Sequence, residues 1–171
     1  MIDETDYDAP DHCTVGVIGE VGNRLFLFYC RQGLTETTVK VEKQQVAVLA
    51  SYLGRIVKEL GRPGHLPDDL SFDGTEDPEW VVGTIGVSYD EELDRVVIVL
   101  EEVHDEDEDE EDDENGHVLR IALTREQAAA FAIHATRLVE SGRPPCPLCG
   151  LPLDPSGHDC PRTNGHRPPV T

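Results

Sequence analysis

Aromatic and basic side chains are both scarce in this chain, and the shortage of bases closes off a class of function. Only four Phe, four Tyr and one Trp occur in 171 residues, so the core must be built mainly from aliphatic side chains. Lys and Arg together number 14 against 35 acids. Phosphate backbones are held by clustered cations, so nucleic acid is not an expected partner of the folded body. The longest aliphatic run, Val96 to Leu100, is far too short to span a bilayer. No Gly-x-Ser-x-Gly elbow, phosphate-binding glycine loop, dinucleotide fingerprint or His-Glu-x-x-His is present. Gly83-Thr-Ile-Gly86 is only a pair of glycines in a strand, where a bulge or close approach is expected. No acid and base can be paired from sequence, and the reading leans away from an enzyme.

Acid is what the chain has in excess. The formal net charge is −21, and residues 101–114 hold twelve Asp or Glu. The remainder, 23 acids against 14 bases, carries −9 and is moderately acidic. The acidic run, flanked by His104 and His117, is expected to be a self-repelling solvated loop. A specific calcium loop would set its carboxylates around a glycine, and none occurs here before Gly116. The start, Met1-Ile-Asp-Glu-Thr-Asp, is acidic where a signal peptide is basic and then apolar. A cytoplasmic location is the expectation, and thiols there stay reduced.

The hydrophobic pattern divides the body into two similar halves. After a polar lead-in over residues 1–11, strands are expected at Cys13–Ile18, Leu25–Tyr29 and Thr35–Val41. The period then lengthens from Glu42 to Leu60: Val46, Leu49, Leu53, Ile56 and Leu60 make the stripe of an amphipathic helix. Residues 62–79 read as a linker. Strands follow at Trp80–Tyr89, Arg95–Val103 and Val118–Leu123. A capping box, Thr124-Arg-Glu-Gln127, then opens a helix with Ala128, Phe131, Ala135 and Leu138 on its stripe.

In register, Val39, Val41, Gln45 and Ile56 fall on Ile121, Leu123, Gln127 and Leu138 at an offset of 82, and Thr14-Val-Gly on Thr84-Ile-Gly at 70. The difference is about the length of the acidic run, which becomes an insertion over 104–116 into the second half. The expected fold is α+β: two βββα repeats, about 12–61 and 80–142, forming a mainly antiparallel sheet. One six-stranded sheet with both helices on one face is the simplest packing. Cys13 and Cys30 sit in strand patterns and need no role beyond packing. His134 reads as a surface or packing histidine, and His65 as a linker residue. Lys43, Gln44 and Gln45 open the first helix, where exposure to solvent is their ordinary fate.

The remaining cysteines gather in the tail, residues 143–171. Cys146 and Cys149 form a Cys-x-x-Cys pair followed by Gly150, and Cys160 and His158 follow closely. With so few apolar side chains, this segment cannot offset the roughly 1–2 kcal/mol per residue that ordering a backbone costs. A tetrahedral zinc ion can, at about 10–16 kcal/mol in small zinc peptides. Cys146, Cys149 and Cys160 are the expected thiolate ligands, with His158 the preferred fourth and His166 its rival. Four protein ligands close the shell and mark a structural Zn2+ site rather than a catalytic one. Asp154 and Asp159 are expected to cap turns. A redox pair would open a helix after a strand, and Pro147, Pro152 and Pro155 oppose a helix here.

The tail Cys146-Pro-x-Cys149-Gly-x-Pro-x-Asp154-Pro-x-Gly157-His158-x-Cys160-Pro-Arg162-x-Asn164-Gly165 resembles the C-terminal signature of an uncharacterised actinobacterial domain-of-unknown-function family, number 3090. The body is similar to it too, at Thr14-Val-Gly, Glu42-Lys-Gln-Gln-Val-Ala and Gly142-Arg-Pro-Pro. The resemblance carries His158 over as a candidate ligand and does not reach His166. It implies a fold and a context, not an activity. Genes of the family often neighbour those of a histidine-phosphatase-like and a lipid-kinase-like protein, which implies a protein partner of one of those kinds.

Three functions stay open on the sequence. The first is a non-enzymatic zinc-binding scaffold that docks a protein. The second is an enzyme of unrecognised class with a cleft between the repeats. The third is RNA binding through the tail, where Arg143, Arg162 and Arg167 stand against Asp154 and Asp159 but no aromatic follows Phe131. The acidic insertion gives a first test. Loop-closure entropy changes by only about 0.6 kcal/mol per doubling of length. Replacing residues 105–114 by Gly-Ser should therefore leave the thermal melting temperature nearly unchanged, whereas collapse of the fold would mean that the run holds structure.

Overall fold

The computed structural model describes residues 2–20, 22–104, 116–142, 146–151, 153 and 160–163. Among the described residues, seven strands and two long helices form the body. The first half is β2 (His12–Ile18), β3 (Leu25–Gln32), β4 (Thr35–Val41) and α1 (Lys43–Leu60); the second is β5 (Val82–Asp90), β6 (Arg95–Glu102), β7 (His117–Leu123) and α2 (Arg125–Glu140). Each half is an antiparallel meander followed by a helix, and the class is α+β.

The polar lead-in contains a strand, β1 (Asp3–Tyr7), which pairs in parallel with β7 from Asp3↔His117 to Tyr7↔Ile121. Its sequence, Asp-Glu-Thr-Asp-Tyr, has one apolar anchor, so neither alternation nor β-propensity marks it. Tyr7 supplies the burial: it is 1% exposed and its hydroxyl lies 2.8 Å from Thr37 Oγ1.

The strands also form two sheets rather than one, in the orders β1-β7-β6-β5 and β2-β3-β4. Between them, among the described residues, runs one parallel bridge, Lys40↔Val81, supported by Lys40 N donating to Trp80 O and Glu79 N to Thr38 O, both 2.9 Å. Residues 79–81 thus lie along β4 as β1 lies along β7. One residue back from that bridge, Trp80 and Val39 stand where Tyr7 and Ile121 stand in the other half. Each half lends the segment before its first strand to the third strand of the other. This exchange divides the pairing at the Trp80 segment, which is too short to make a continuous ladder.

The helices repeat the exchange. Gln45 Oε1 accepts from Glu42 N to cap α1, and its Nε2 donates to Val82 O and Gly83 O at the start of β5. Gln127 Oε1 accepts from Thr124 N in the expected capping box, and its Nε2 donates to Pro10 O just before β2 at 2.7 Å. The helices run antiparallel, and cations of each first turn meet the other's last turn. Arg125 donates to Leu60 O, while Lys43 Nζ lies 2.6 Å from where a Cβ on Gly142 would stand. Carbonyls orphaned at a helix C-terminus carry partial negative charge, so both contacts are favourable.

One hydrophobic core lies between the helices and the inner faces of both sheets. Phe131 is fully buried at its centre, 5.4 Å from the ring of Phe28, and its burial contributes roughly 1.5–3 kcal/mol. The α2 stripe is wider than expected, because Ala129, Ala130 and Ala132 are buried with Ala128, Phe131 and Ala135. Helix α2 packs on α1 and on β2 at once, and small side chains let both approach. On α1, Ala50 and Val57 are buried, while Ile56 and Leu60 are half-buried.

The linker is part of the packing. Phe72 lies on Gly16 of β2, where an added Cβ would be 2.4 Å from its ring. Gly16→Ala should therefore destabilise by about 1–3 kcal/mol through overpacking. Gly86, its counterpart in β5, has nothing within 4 Å of an added Cβ. Gly86→Ala should be neutral or stabilise by about 0.5–1 kcal/mol. Urea unfolding of the pair checks the asymmetry, and equal effects would contradict it.

Asp94, in the left-handed region at φ 51, accepts from Tyr89 Oη at 2.6 Å and from Arg125 Nε at 2.8 Å. The Tyr89 hydroxyl first, then the Arg125 guanidinium, hold its carboxyl below the usual range. Such a group adds stability above its unfolded-state pKa and loses it as pH falls through the lowered folded value. Asp94→Asn keeps the backbone conformation accessible. It should lower stability near neutral pH, and the deficit should shrink on acidification below the carboxylate range; a deficit unchanged by pH would mean that charge is not its cause.

Candidate metal centre

The tail turns where its sequence provides for a turn. Gly150 has φ 76, a left-handed conformation that costs glycine little, and its N–H donates to Cys146 O at 2.9 Å. Cys146 N donates in turn to Leu151 O at 2.7 Å. These two bonds fold the Cys-x-x-Cys pair back on itself and point both thiols to one side. Cys160 reaches the same point from the far end of the segment and is followed by a short 3₁₀ turn, Pro161–Thr163.

The three sulfurs all lie within 4.8 Å of one another, with Cys146 and Cys160 at 4.0 Å. A tetrahedral ion with bonds of about 2.3 Å to sulfur sets its ligands about 3.8 Å apart. A disulfide would bring two sulfurs to about 2.05 Å. The spacing is that of ligands around an ion, and the donors are soft thiols. Cys146 and Cys160 are buried at 3% and 1% exposure, while Cys149 is half-buried. Desolvation first, then the crowding of Cys160 and Cys146, push the Cys149 thiol up. Thiols are soft donors, and a bound cation offsets the repulsion among thiolates gathered at this spacing. The centre can therefore hold a metal ion, and among the described residues it is the one such group of His, Cys, Asp and Glu.

His158 and His166, with Asp154 and Asp159, lie outside the described residues. So does the acidic stretch 105–115, whose two ends are held together. Gly116 O accepts from Asp3 N at 2.9 Å, and the His104 ring lies over Gly116. His117 pairs with Glu102 at 2.7 Å and stacks on Trp80, so its role is to pin the base of the hairpin.

The other residues singled out from sequence have structural partners. Gly83 sits at a bulge in β5, where an added Cβ would be 2.7 Å from the Val103 backbone. His134 Nε2 donates to Val15 O at 2.9 Å, occupying an edge carbonyl of β2. Burial pushes the Cys13 thiol well up, which leaves it an inert neighbour of Cys30. His65 is exposed, 3.6 Å from Asp68. The Tyr89–Asp94–Arg125 cluster has no local sequence signal, because the β5–β6 hairpin supplies Tyr89 and Asp94 and α2 supplies Arg125; they satisfy one another, and Arg125 also reaches Leu60 O of α1.

Among the described residues no helix is long and apolar enough to cross a membrane. No curated protein and no solved structure matches the chain. The family model described as Protein of unknown function (DUF3090) matches residues 5–160, a span that takes in both halves of the body and all three clustered cysteines, and the chain belongs to that family.

Proposed function

We propose that this protein is a non-enzymatic scaffold whose tail, residues 143–171, is a structural zinc knuckle that docks a partner protein onto the body, residues 1–142. The observation that carries the reading is the convergence of three thiols within 4.8 Å at the end of a chain segment with few apolar side chains. Reduced thiols in a cytoplasmic protein select zinc over harder ions. The fourth ligand in this reading is His158, with His166 the rival. A closed shell leaves no position for substrate, so the ion orders the knuckle instead of doing chemistry.

Docking is assigned to the tail because its leucines are not used up inside. Leu148 and Leu151 are 47% and 49% exposed, so they present apolar surface beside the metal centre. The candidate partners are the histidine-phosphatase-like and lipid-kinase-like neighbours implied by the family resemblance.

Elemental analysis of protein purified without chelator should find one zinc per chain, lost in Cys149→Ser. Absence of metal would overturn the reading. With the tail leucines half exposed, chelation should raise amide hydrogen exchange only in the tail. Exchange spreading into the strands would make the ion a clamp on the whole fold.

A further inference from the structure

The two halves are matched in sequence and in strand order, yet one of two matching grooves is filled and the other is open. In the first half, the linker threads between the first turn of α2 and the edge of β2. Gly64 N donates to Glu126 Oε1 at 2.8 Å, Thr14 Oγ1 donates to Leu70 O at 2.7 Å, and His12 Nε2 donates to Ser71 O at 2.7 Å. Leu66 packs against the core and Phe72 closes over Gly16. This segment forms neither a helical turn nor a strand.

The offsets of 82 and 70 residues carry Glu126, Ala130 and His134 onto Gln44, Val48 and Tyr52, and Thr14 and Gly16 onto Thr84 and Gly86. Gln44, Val48 and Tyr52 of α1, with Thr84, Ile85 and Val87 of β5, line an open groove of about 720 Å³. Among the described residues none fills it in the way the linker fills its counterpart. Thr14 is fully buried and Thr84 exposed; Val48 is 62% exposed where Ala130 is 5%. β5 is also an edge strand, and an edge offers backbone donors and acceptors to an extended chain.

We infer that this groove binds an extended peptide segment of a partner protein, anchored by leucine or aromatic side chains as Leu66 and Phe72 anchor the linker in the matching groove. The net charge of −21 disfavours a second copy of the chain and favours a neutral or basic peptide. The site is separate from the thiol cluster, so it does not depend on the zinc reading.

The test pans a phage-displayed library of short random peptides on the full chain and measures the selected peptides by fluorescence anisotropy. Neutral or basic sequences with leucine or aromatic anchors should be enriched. Val48→Asp should weaken them at least about ten-fold. Val48 is exposed, so this variant should fold, which circular dichroism checks. Ile133→Asp, on the exposed side of α2, should leave binding intact, and so should chelation of metal. Peptides that bind Val48→Asp equally well, or no enrichment at all, would overturn the inference. A dimer in sedimentation that Val48→Asp dissociates would also overturn it, giving the face to a second copy.

Discussion

The body rests on an exchange between its two halves. Neither meander completes its own third strand: β7 takes β1 from the first half, and β4 takes the Trp80 segment that leads into the second. Gln45 and Gln127 each cap their own helix and hold the start of the other half's first strand. Every one of these contacts satisfies a backbone group that would otherwise be left unpaired at a helix end or a strand end. The core is then shared, with Phe28 of one half against Phe131 of the other.

Much of this arrangement was legible locally. Six strands and both helices announce themselves by period, and the Thr124–Gln127 capping box is where the sequence puts it. β1 was not legible, because Asp-Glu-Thr-Asp-Tyr has no alternation and draws its pairing from residues more than a hundred positions away. The division into two sheets was hidden for the same reason: it depends on where Trp80 comes to rest, a tertiary fact. The linker's composition, rich in Pro, Gly and Asp, reads as a spacer, yet Leu66 packs on the core and Phe72 on Gly16 of β2.

The candidate metal centre was the opposite case. Cys146, Cys149 and Cys160 carry their chemistry in their spacing, so three ligands could be read before any fold was known. The matching grooves could not, since a groove is a relation between α1 and β5 that no single segment encodes. Only the comparison of Thr14 with Thr84 and of Gly16 with Gly86 makes the open one conspicuous.

The parallel pairing of β1 with β7 also constrains synthesis. Tyr7 is made 114 residues before its strand partner Ile121. At about 5–20 residues per second, that interval is on the order of ten seconds. During it the strand and its tyrosine stay solvent-facing or pair elsewhere. The acids at Asp3, Glu4 and Asp6 keep such a waiting strand soluble, as charged residues do on exposed strand edges. The poor β-character that concealed β1 in the sequence thus suits a strand that must wait for its partner.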